Sequence, residues 1–161
     1  MVSAWSDFFT AQVTAFAALT GLVFVALSIN LRHVVAVAGL AGRAGEAVVL
    51  LLAPVLTGFF GLIPGQGVRS LGAAVLAVGL VEWALLNRIL LASRASLRER
   101  PAKERASRLV LVEAATLLLV GGGAALGAGS ASGFDLLVAG VSVSLVAGMV
   151  DAWVLLVEIL R

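Results

Sequence analysis

The sequence contains five long apolar stretches, each close to the length that a helix needs to cross a lipid bilayer. A transmembrane helix takes about 20 mostly apolar residues, and such stretches cover residues 8–31, 46–63, 69–92, 109–128 and 134–159. Charged residues make up 12% of the chain, against about 25% in soluble domains. Because this chain has too few polar side chains to cover its apolar surface in water, the sequence predicts a single all-α transmembrane domain over residues 1–161.

The basic residues are distributed unevenly between the two sides of this predicted helical bundle. If the N-terminus lies outside, Arg69 is the single basic residue on the outer side. The inner side then holds Arg32, Arg43, Arg88, Arg94, Arg98, Arg100, Lys103, Arg105, Arg108 and Arg161. Since Lys and Arg are enriched in cytoplasmic loops, the sequence predicts an N-out, C-in multi-pass protein of a bacterial inner (plasma) membrane.

The longest basic stretch, residues 94–108, is predicted to be an inner loop. It is interrupted by Glu99, Pro101 and Glu104 and has no interleaved aromatic residues, a pattern that argues against nucleic-acid binding. We expect it to set the topology and to contact anionic lipid headgroups.

Two parts of the chain resemble copies of one helical hairpin. Residues 79–86 (GLVEWALL) return as residues 148–156 (GMVDAWVLL), and both hairpins open with a Glu followed by an apolar run, at Glu46 and Glu113. The sequence predicts a lone first helix over 8–31 and two hairpins over 46–92 and 109–159. Because both hairpins would start on the inner side, they would form a parallel repeat about an axis along the membrane normal.

The most informative residues are two acids in matched apolar settings, Glu82 and Asp151. A charge at the centre of a membrane helix costs about 2.5–3.5 kcal/mol, so intramembrane acids are functional candidates. Ser144, Asp151 and Glu158 share one face of the last helix. We expect Glu82 and Asp151 to face each other across the repeat and to bind a proton or a hard cation, with Ser144 and Glu158 as further candidates. The alternative is that both acids are protonated and only join helices through hydrogen bonds.

Other charged and aromatic residues have structural interpretations. Glu46 is expected to pair with Arg43, and Glu113 with Arg108 or another neighbour. Trp83 and Trp153 are expected to pack against the two acids. Residues 33–45 are too few to span the membrane and are predicted to form a short helix or turn at the inner interface. Trp5 is expected to anchor the outer interface.

The first helix has two different sides. Small residues cover one side, which is typical of close helix packing: Thr14, Ala17, Ala18, Gly21, Val25 and Ser28. The other side holds Phe16, Leu19, Val23, Leu27 and Asn30. This helix is expected either to pack into the bundle or to line an oligomer axis, with Asn30, Thr20 and Ser28 as pore or packing residues.

The start of the chain carries a resemblance. Trp5-x-x-Phe8-Phe9, followed by residues 18–30 (ALTGLVFVALSIN), resembles the opening of small uncharacterised bacterial multi-pass membrane proteins. Some of these are labelled as modulators of the FtsH membrane protease. The resemblance covers mainly residues 5–45, and it implies a possible membrane-protein partner.

No pattern in the sequence indicates an enzyme, a cofactor or a metal site. The chain has one His and no Cys, and it lacks the short motifs of metal, phosphate or nucleophile chemistry. The sequence favours a small homo-oligomeric channel or transporter for protons or a hard cation. The alternative is a non-conducting accessory protein that binds a partner membrane protein or protease.

Overall fold

The structure, a computed structural model, describes residues 2–37, 39–93 and 102–159. These residues are helical almost throughout and contain no strand. A 3₁₀ turn, Val2–Trp5, leads into α1 (Ser6–Ile29), which is followed by α2 (Leu31–Ala36), α3 (Leu40–Gly61), α4 (Val68–Ala92), α5 (Ala102–Gly127) and α6 (Ser132–Ile159). All except α2 are long and apolar enough to cross a membrane. The prediction of an all-α chain with five helices that are long and apolar enough to span a membrane is therefore confirmed.

Helices α3 to α6 form a four-helix bundle. α4 packs against α3 and α5, and α6 packs against the same two helices, so α4 and α6 lie at opposite corners. α1 lies outside this bundle, against α3. Tight loops join the helices of each hairpin. Gly65 (φ 73°) and Gly129 (φ 85°) occupy them with backbone angles that other residues rarely adopt.

Neighbouring helices approach closely where glycines take the place of larger residues. A Cβ at Gly72 would overlap the backbone of Leu126 and Gly127, and a Cβ at Gly133 would overlap Leu126 and the carbonyl of Gly122. Such contacts let helix backbones pack tightly in a membrane. Because neighbours are antiparallel, these contacts also define which residues of two helices lie at the same depth.

The two ends of the bundle differ in charge. α3 and α5 begin at one end, and α4 and α6 finish there. That end carries Arg43, Arg88 and Arg108, and we call it the basic end. The opposite half of the bundle is filled by apolar side chains, among them Val75, Leu119 and Phe134.

The segment between the first two spans is more helical than predicted. The expected short helix is present as α2, but α3 begins at Leu40 rather than at Glu46. The extra turn is stabilised by packing, since Leu40 and Ala44 are buried in a cluster that also includes Leu155. This extension places Arg43 inside α3, where it faces the bundle rather than a loop.

Candidate functional site

Most of the buried polar side chains in the described part of the chain fall into two groups. The buried polar side chains are Gln12, Arg43, Glu46, Thr57, Glu82, Thr116, Ser144 and Asp151. Polar and ionisable groups inside a membrane protein are costly unless they are paired, and they mark candidate sites. One group lies at the basic end, and the other lies halfway along the bundle.

The group at the basic end combines acidic and basic side chains from three helices. Glu46 of α3 is 0% exposed, and both of its carboxylate oxygens accept hydrogen bonds from Arg108 of α5, with 3.0 Å between Nε and Oε1. Asp151 of α6 lies close enough to Glu46, Arg43 and Arg108 to interact with their charges. We call Arg43, Glu46, Arg108 and Asp151 the basic-end cluster.

The local sequence explains how three helices meet at this cluster. Arg43 and Glu46 are three residues apart on α3, so they share one face of that helix. Gly148, one turn before Asp151, allows α6 to approach α3, and a Cβ at Gly148 would overlap the side chain of Leu51. Arg108 lies near the start of α5, where its side chain reaches inward to Glu46.

The basic-end cluster combines an ion pair with a second carboxyl group. A guanidinium group that bonds both oxygens of a carboxylate forms one of the strongest hydrogen-bonded pairs in proteins. Arg108 thus holds Glu46 in position close to the carboxyl group of Asp151.

A cleft makes the basic-end cluster accessible from outside the bundle. It lies between α5 and α6 and has a volume of about 290 Å³. Arg43, Ser107, Arg108 and Asp151 form its polar part, and its apolar walls consist of Leu111, Val112, Ala147, Val150 and Val154.

The second group lies near the middle of the bundle and lacks partners. Glu82 of α4 is 2% exposed, and neither of its carboxyl oxygens has a hydrogen-bond partner among the described residues. The buried hydroxyl of Ser144, on α6, likewise has no partner there. Thr116 of α5 donates to the carbonyls of its own helix at Val112 and Glu113, both at 3.1 Å. We call Glu82, Thr116 and Ser144 the mid-bundle layer.

The close contacts between helices place the members of this layer at one depth. Gly79 lies against Val120 of α5, which sets Glu82 level with Leu117. Gly140 lies against Leu119 of α5, which sets Ser144 level with Ala115. Glu82 and Ser144 are thus within one helical turn of each other in depth, on opposite corners of the bundle.

Glu82 also lies well away from the basic-end cluster. Gly45 of α3 contacts Ile89 of α4, which sets Glu82 level with Ala53, about 10 Å along the helix axis from Glu46. An apolar cluster fills the space between these depths: Leu50, Leu86, Val112, Ala115 and Ala147. The expected pairing of Glu82 with Asp151 is therefore not found, because Asp151 lies close to Glu46 instead.

Both acids border different clefts. Glu82 touches an apolar groove of about 330 Å³ between α3 and α4, whose walls include Val49, Ala53 and Val81. Asp151 lines the cleft between α5 and α6. Within the described residues, no three acidic or histidine side chains come together to hold a metal ion.

The other predicted residues have local roles or lie outside the description. Asn30 donates to the carbonyl of Ala26 at 2.9 Å, Thr20 to that of Phe16 at 2.7 Å and Ser28 to that of Phe24 at 2.8 Å. These three polar groups are thus satisfied within α1. The backbone of α6 includes position 158, but the side chain of Glu158 is outside the described part of the structure.

The structure gives a partner for each of two acids and corrects one predicted packing arrangement. Glu46 is bonded by Arg108, which the sequence suggests as a partner of Glu113. Glu113 accepts a hydrogen bond from the indole of Trp83 at 3.3 Å. Trp83 and Trp153 are 44% and 66% exposed, so both rings lie mainly on the surface and do not cover the acids.

One buried polar contact has no counterpart in the sequence predictions. Gln12 of α1 donates through Nε2 to the carbonyl of Pro54 at 2.6 Å and to the hydroxyl of Thr57 at 2.9 Å. The only sequence signal for this contact is the amide side chain of Gln12 within an apolar run. This contact, together with buried Phe9 and Phe16, attaches α1 to α3 and settles which side of α1 faces the bundle.

Comparisons of this chain with family models, with curated proteins and with solved structures give no match. The resemblance of residues 5–45 to small bacterial membrane proteins therefore stays a prediction.

Proposed function

We propose that this protein is a small proton-linked transporter of a bacterial inner membrane, with Glu82 and the carboxyl pair of Asp151 and Glu46 as its proton-binding groups. In this proposal the chain is oriented N-out and C-in, so that the basic end faces the cytoplasm. The two hairpins are a parallel repeat, and several copies assemble in the membrane.

The observation that carries the proposal is the carboxyl group of Glu82. Both of its oxygens are buried without a hydrogen-bond partner in the described part of the chain. A charge at this depth costs about 2.5–3.5 kcal/mol on insertion scales, so Glu82 needs a proton or a cation. The basic end supports the same chemistry, because Asp151 lies close to a second carboxyl group, that of Glu46, and lines a cleft at the side of the bundle.

The packing favours a transporter over an open pore. Between the basic-end cluster and the mid-bundle layer the core is apolar. Beyond that layer it is apolar again over the described residues, apart from Gln12 and Thr57 at the contact of α1 with α3. A proton could cross these regions only if helices move, as in alternating access.

A flux measurement in liposomes tests the proposal. Purified protein is reconstituted with a pH-sensitive dye inside, and a pH gradient is applied with and without a membrane potential. We expect proton flux above that of empty liposomes, which Glu82→Gln and Asp151→Asn each reduce strongly. Asp135→Asn is the matched control, because Asp135 is an exposed acid in the first turn of α6 and its replacement should leave the flux unchanged.

Two results would count against a proton-transport function. One is a flux no greater than that of empty liposomes under every gradient, including gradients of Na⁺ and K⁺. The other is a flux that neither Glu82→Gln nor Asp151→Asn alters.

A second candidate function is favoured by the surface of α1. Its small side, with Thr14, Ala17, Ala18, Gly21, Val25 and Ser28, is exposed, and a Cβ at Gly21 would meet nothing within 4 Å. Small residues of this kind form helix–helix contacts in membranes. In this alternative the protein does not conduct, and α1 docks on a partner membrane protein. Loss of a co-purifying membrane partner in Gly21→Leu, with no flux in wild type, would support it.

A further inference from the structure

The cleft between α5 and α6 combines an ionic floor with apolar walls. Arg43, Arg108 and Asp151 lie at its deep end, and Ser107 lies at the rim. Its walls are formed by five apolar side chains of α5 and α6, of which Val150 is 47% exposed at the surface of the bundle. A site of this composition suits a ligand that is charged at one end and apolar at the other.

The glycine contacts between α5 and α6 lie away from the cleft. In the half of the bundle away from the basic end, Gly122 and Gly140 bring the two helices into backbone contact. Beside the cleft, Gly148 instead faces Leu51 of α3. The cleft reaches the surface of the bundle at Ser107 and Val150, which are both exposed.

The charge of the floor favours an anion. Two guanidinium groups, those of Arg43 and Arg108, line the cleft beside a single carboxyl group, that of Asp151, and guanidinium groups keep their positive charge. Glu46, the partner of Arg108, is completely buried and does not line the cleft. Residues 94–107, which precede Arg108 in the sequence, add five basic residues against two acidic ones.

The size and depth of the cleft match a lipid headgroup. Its volume of about 290 Å³ is at the lower limit of small-molecule sites, which begin at about 300 Å³. It has room for a phosphate and its glycerol, but not for a whole lipid. Arg108 directly precedes the long apolar run of α5, which is where a membrane-spanning helix reaches the headgroup region.

We propose that this cleft is a binding site for one anionic phospholipid. Its phosphate lies against Arg43 and Arg108, and an acyl chain follows the apolar wall along Val150 and Val154. The apolar walls favour a lipid over free phosphate, because a phosphate ion would make no favourable contact with them. This inference does not depend on proton transport, since it concerns lipid binding alone.

Lipid binding to the delipidated, full-length protein tests the inference. The protein in detergent is titrated with phosphatidylglycerol and, separately, with phosphatidylcholine of the same acyl chains, and binding is measured by native mass spectrometry. We expect one molecule of phosphatidylglycerol to bind at least about tenfold more tightly than phosphatidylcholine, because both lipids carry the phosphate but the choline cation cancels its charge and is repelled by the two Arg side chains. Glycerol phosphate should bind far more weakly than the intact lipid.

Two pairs of variants locate the site. Val150→Trp should obstruct the wall and weaken phosphatidylglycerol binding about tenfold. Val146→Trp, one turn away at a position that is 52% exposed and outside the cleft, should leave it unchanged. Arg43→Gln should weaken binding to a similar extent, while Arg88→Gln at an exposed position of the same end should not.

Several results would overturn the inference. Equal affinities for phosphatidylglycerol and phosphatidylcholine would show that the net charge of the lipid does not contribute to binding. Undiminished binding by Val150→Trp would place the lipid elsewhere, and this variant is informative even if Arg43→Gln does not fold. Equally tight binding of glycerol phosphate would identify a site for a soluble anion instead.

Discussion

Glu82 and Asp151 stand in almost the same sequence context, yet they lie in different surroundings. Asp151 is part of an ionic cluster with Glu46, Arg43 and Arg108. Glu82 has an apolar groove on one side and no hydrogen-bond partner among the described residues. The comparison teaches that a local motif determines the burial of a side chain, while the partners come from other helices.

The same contrast holds for the acids that open the two hairpins. Glu46 is completely buried and bonded by Arg108 at both oxygens, whereas Glu113 is half-buried and meets only the indole of Trp83 among the contacts described. The hairpins therefore share a pattern of acids but not a pattern of bonds. This asymmetry is open to test by substitution.

The largest effect is expected from removing the cation of the basic-end cluster. Arg108→Met leaves Glu46 buried without its ion-pair partner, and removal of one partner from a buried pair costs about 3–5 kcal/mol. Reversible unfolding in mixed micelles, followed by circular dichroism, should show this loss. The matched control Arg88→Met, at an exposed position of the same end, should change stability by less than about 0.5 kcal/mol.

A second substitution sharpens this test. In the double variant Arg108→Met with Glu46→Gln, the buried charge is gone as well, so most of the lost stability should return. If the double variant is as unstable as Arg108→Met alone, the ion pair is not the reason for the loss.

A smaller effect is expected at the glycines that precede the two acids. A Cβ at Gly79 would lie 3.2 Å from the backbone nitrogen of Val120, whereas a Cβ at Gly148 would meet only the flexible side chain of Leu51. Gly79→Ala should therefore destabilise by about 1–3 kcal/mol, as overpacking does, and Gly148→Ala by less. Thermal unfolding of both variants beside Gly21→Ala, where space is open, gives the comparison. Equal losses at all three positions would mean that helix packing does not distinguish them.

Replacement of the two acids by Leu should change the stability of the protein in opposite directions. Glu82→Leu removes a buried carboxyl group without a partner, and this should stabilise the protein by about 1 kcal/mol. Asp151→Leu removes a member of a bonded cluster and should destabilise it. Both are measured by the same unfolding assay. A loss of stability in Glu82→Leu would indicate that Glu82 has a partner, such as a bound water or ion.

The smallest effect concerns the two tryptophans. Trp83→Phe removes a single hydrogen bond to Glu113, at a largely exposed position, and should cost about 0.5 kcal/mol. Trp153→Phe, at a more exposed ring, should cost less than that. A larger loss for Trp153→Phe would show that its ring contacts another protein or a second copy in the membrane.

Much of the fold could be read from the sequence because its signals are local. Apolar length predicts the five spans, and Gly65 and Gly129 mark the turns. The early start of α3 was missed because it depends on Leu40 and Ala44 packing against Leu155, which is distant in sequence. The site was predicted only in part: burial of Glu82 and Asp151 was foreseen from their apolar neighbours, whereas the partner of Asp151 was not.

The sequence by itself determined that this chain is a helical membrane protein with acids buried at two matched positions. The physical reason is the hydrophobic effect, which acts on each residue separately and therefore leaves a periodic pattern of apolar residues along the chain. Only the tertiary structure decided that Asp151 lies close to Glu46 and Arg108, while Glu82 lies at a different depth without a hydrogen-bond partner among the described residues. That outcome depends on how closely each helix approaches its neighbours and at what depth. These distances are set by glycine contacts, such as those of Gly79 with Val120 and Gly148 with Leu51.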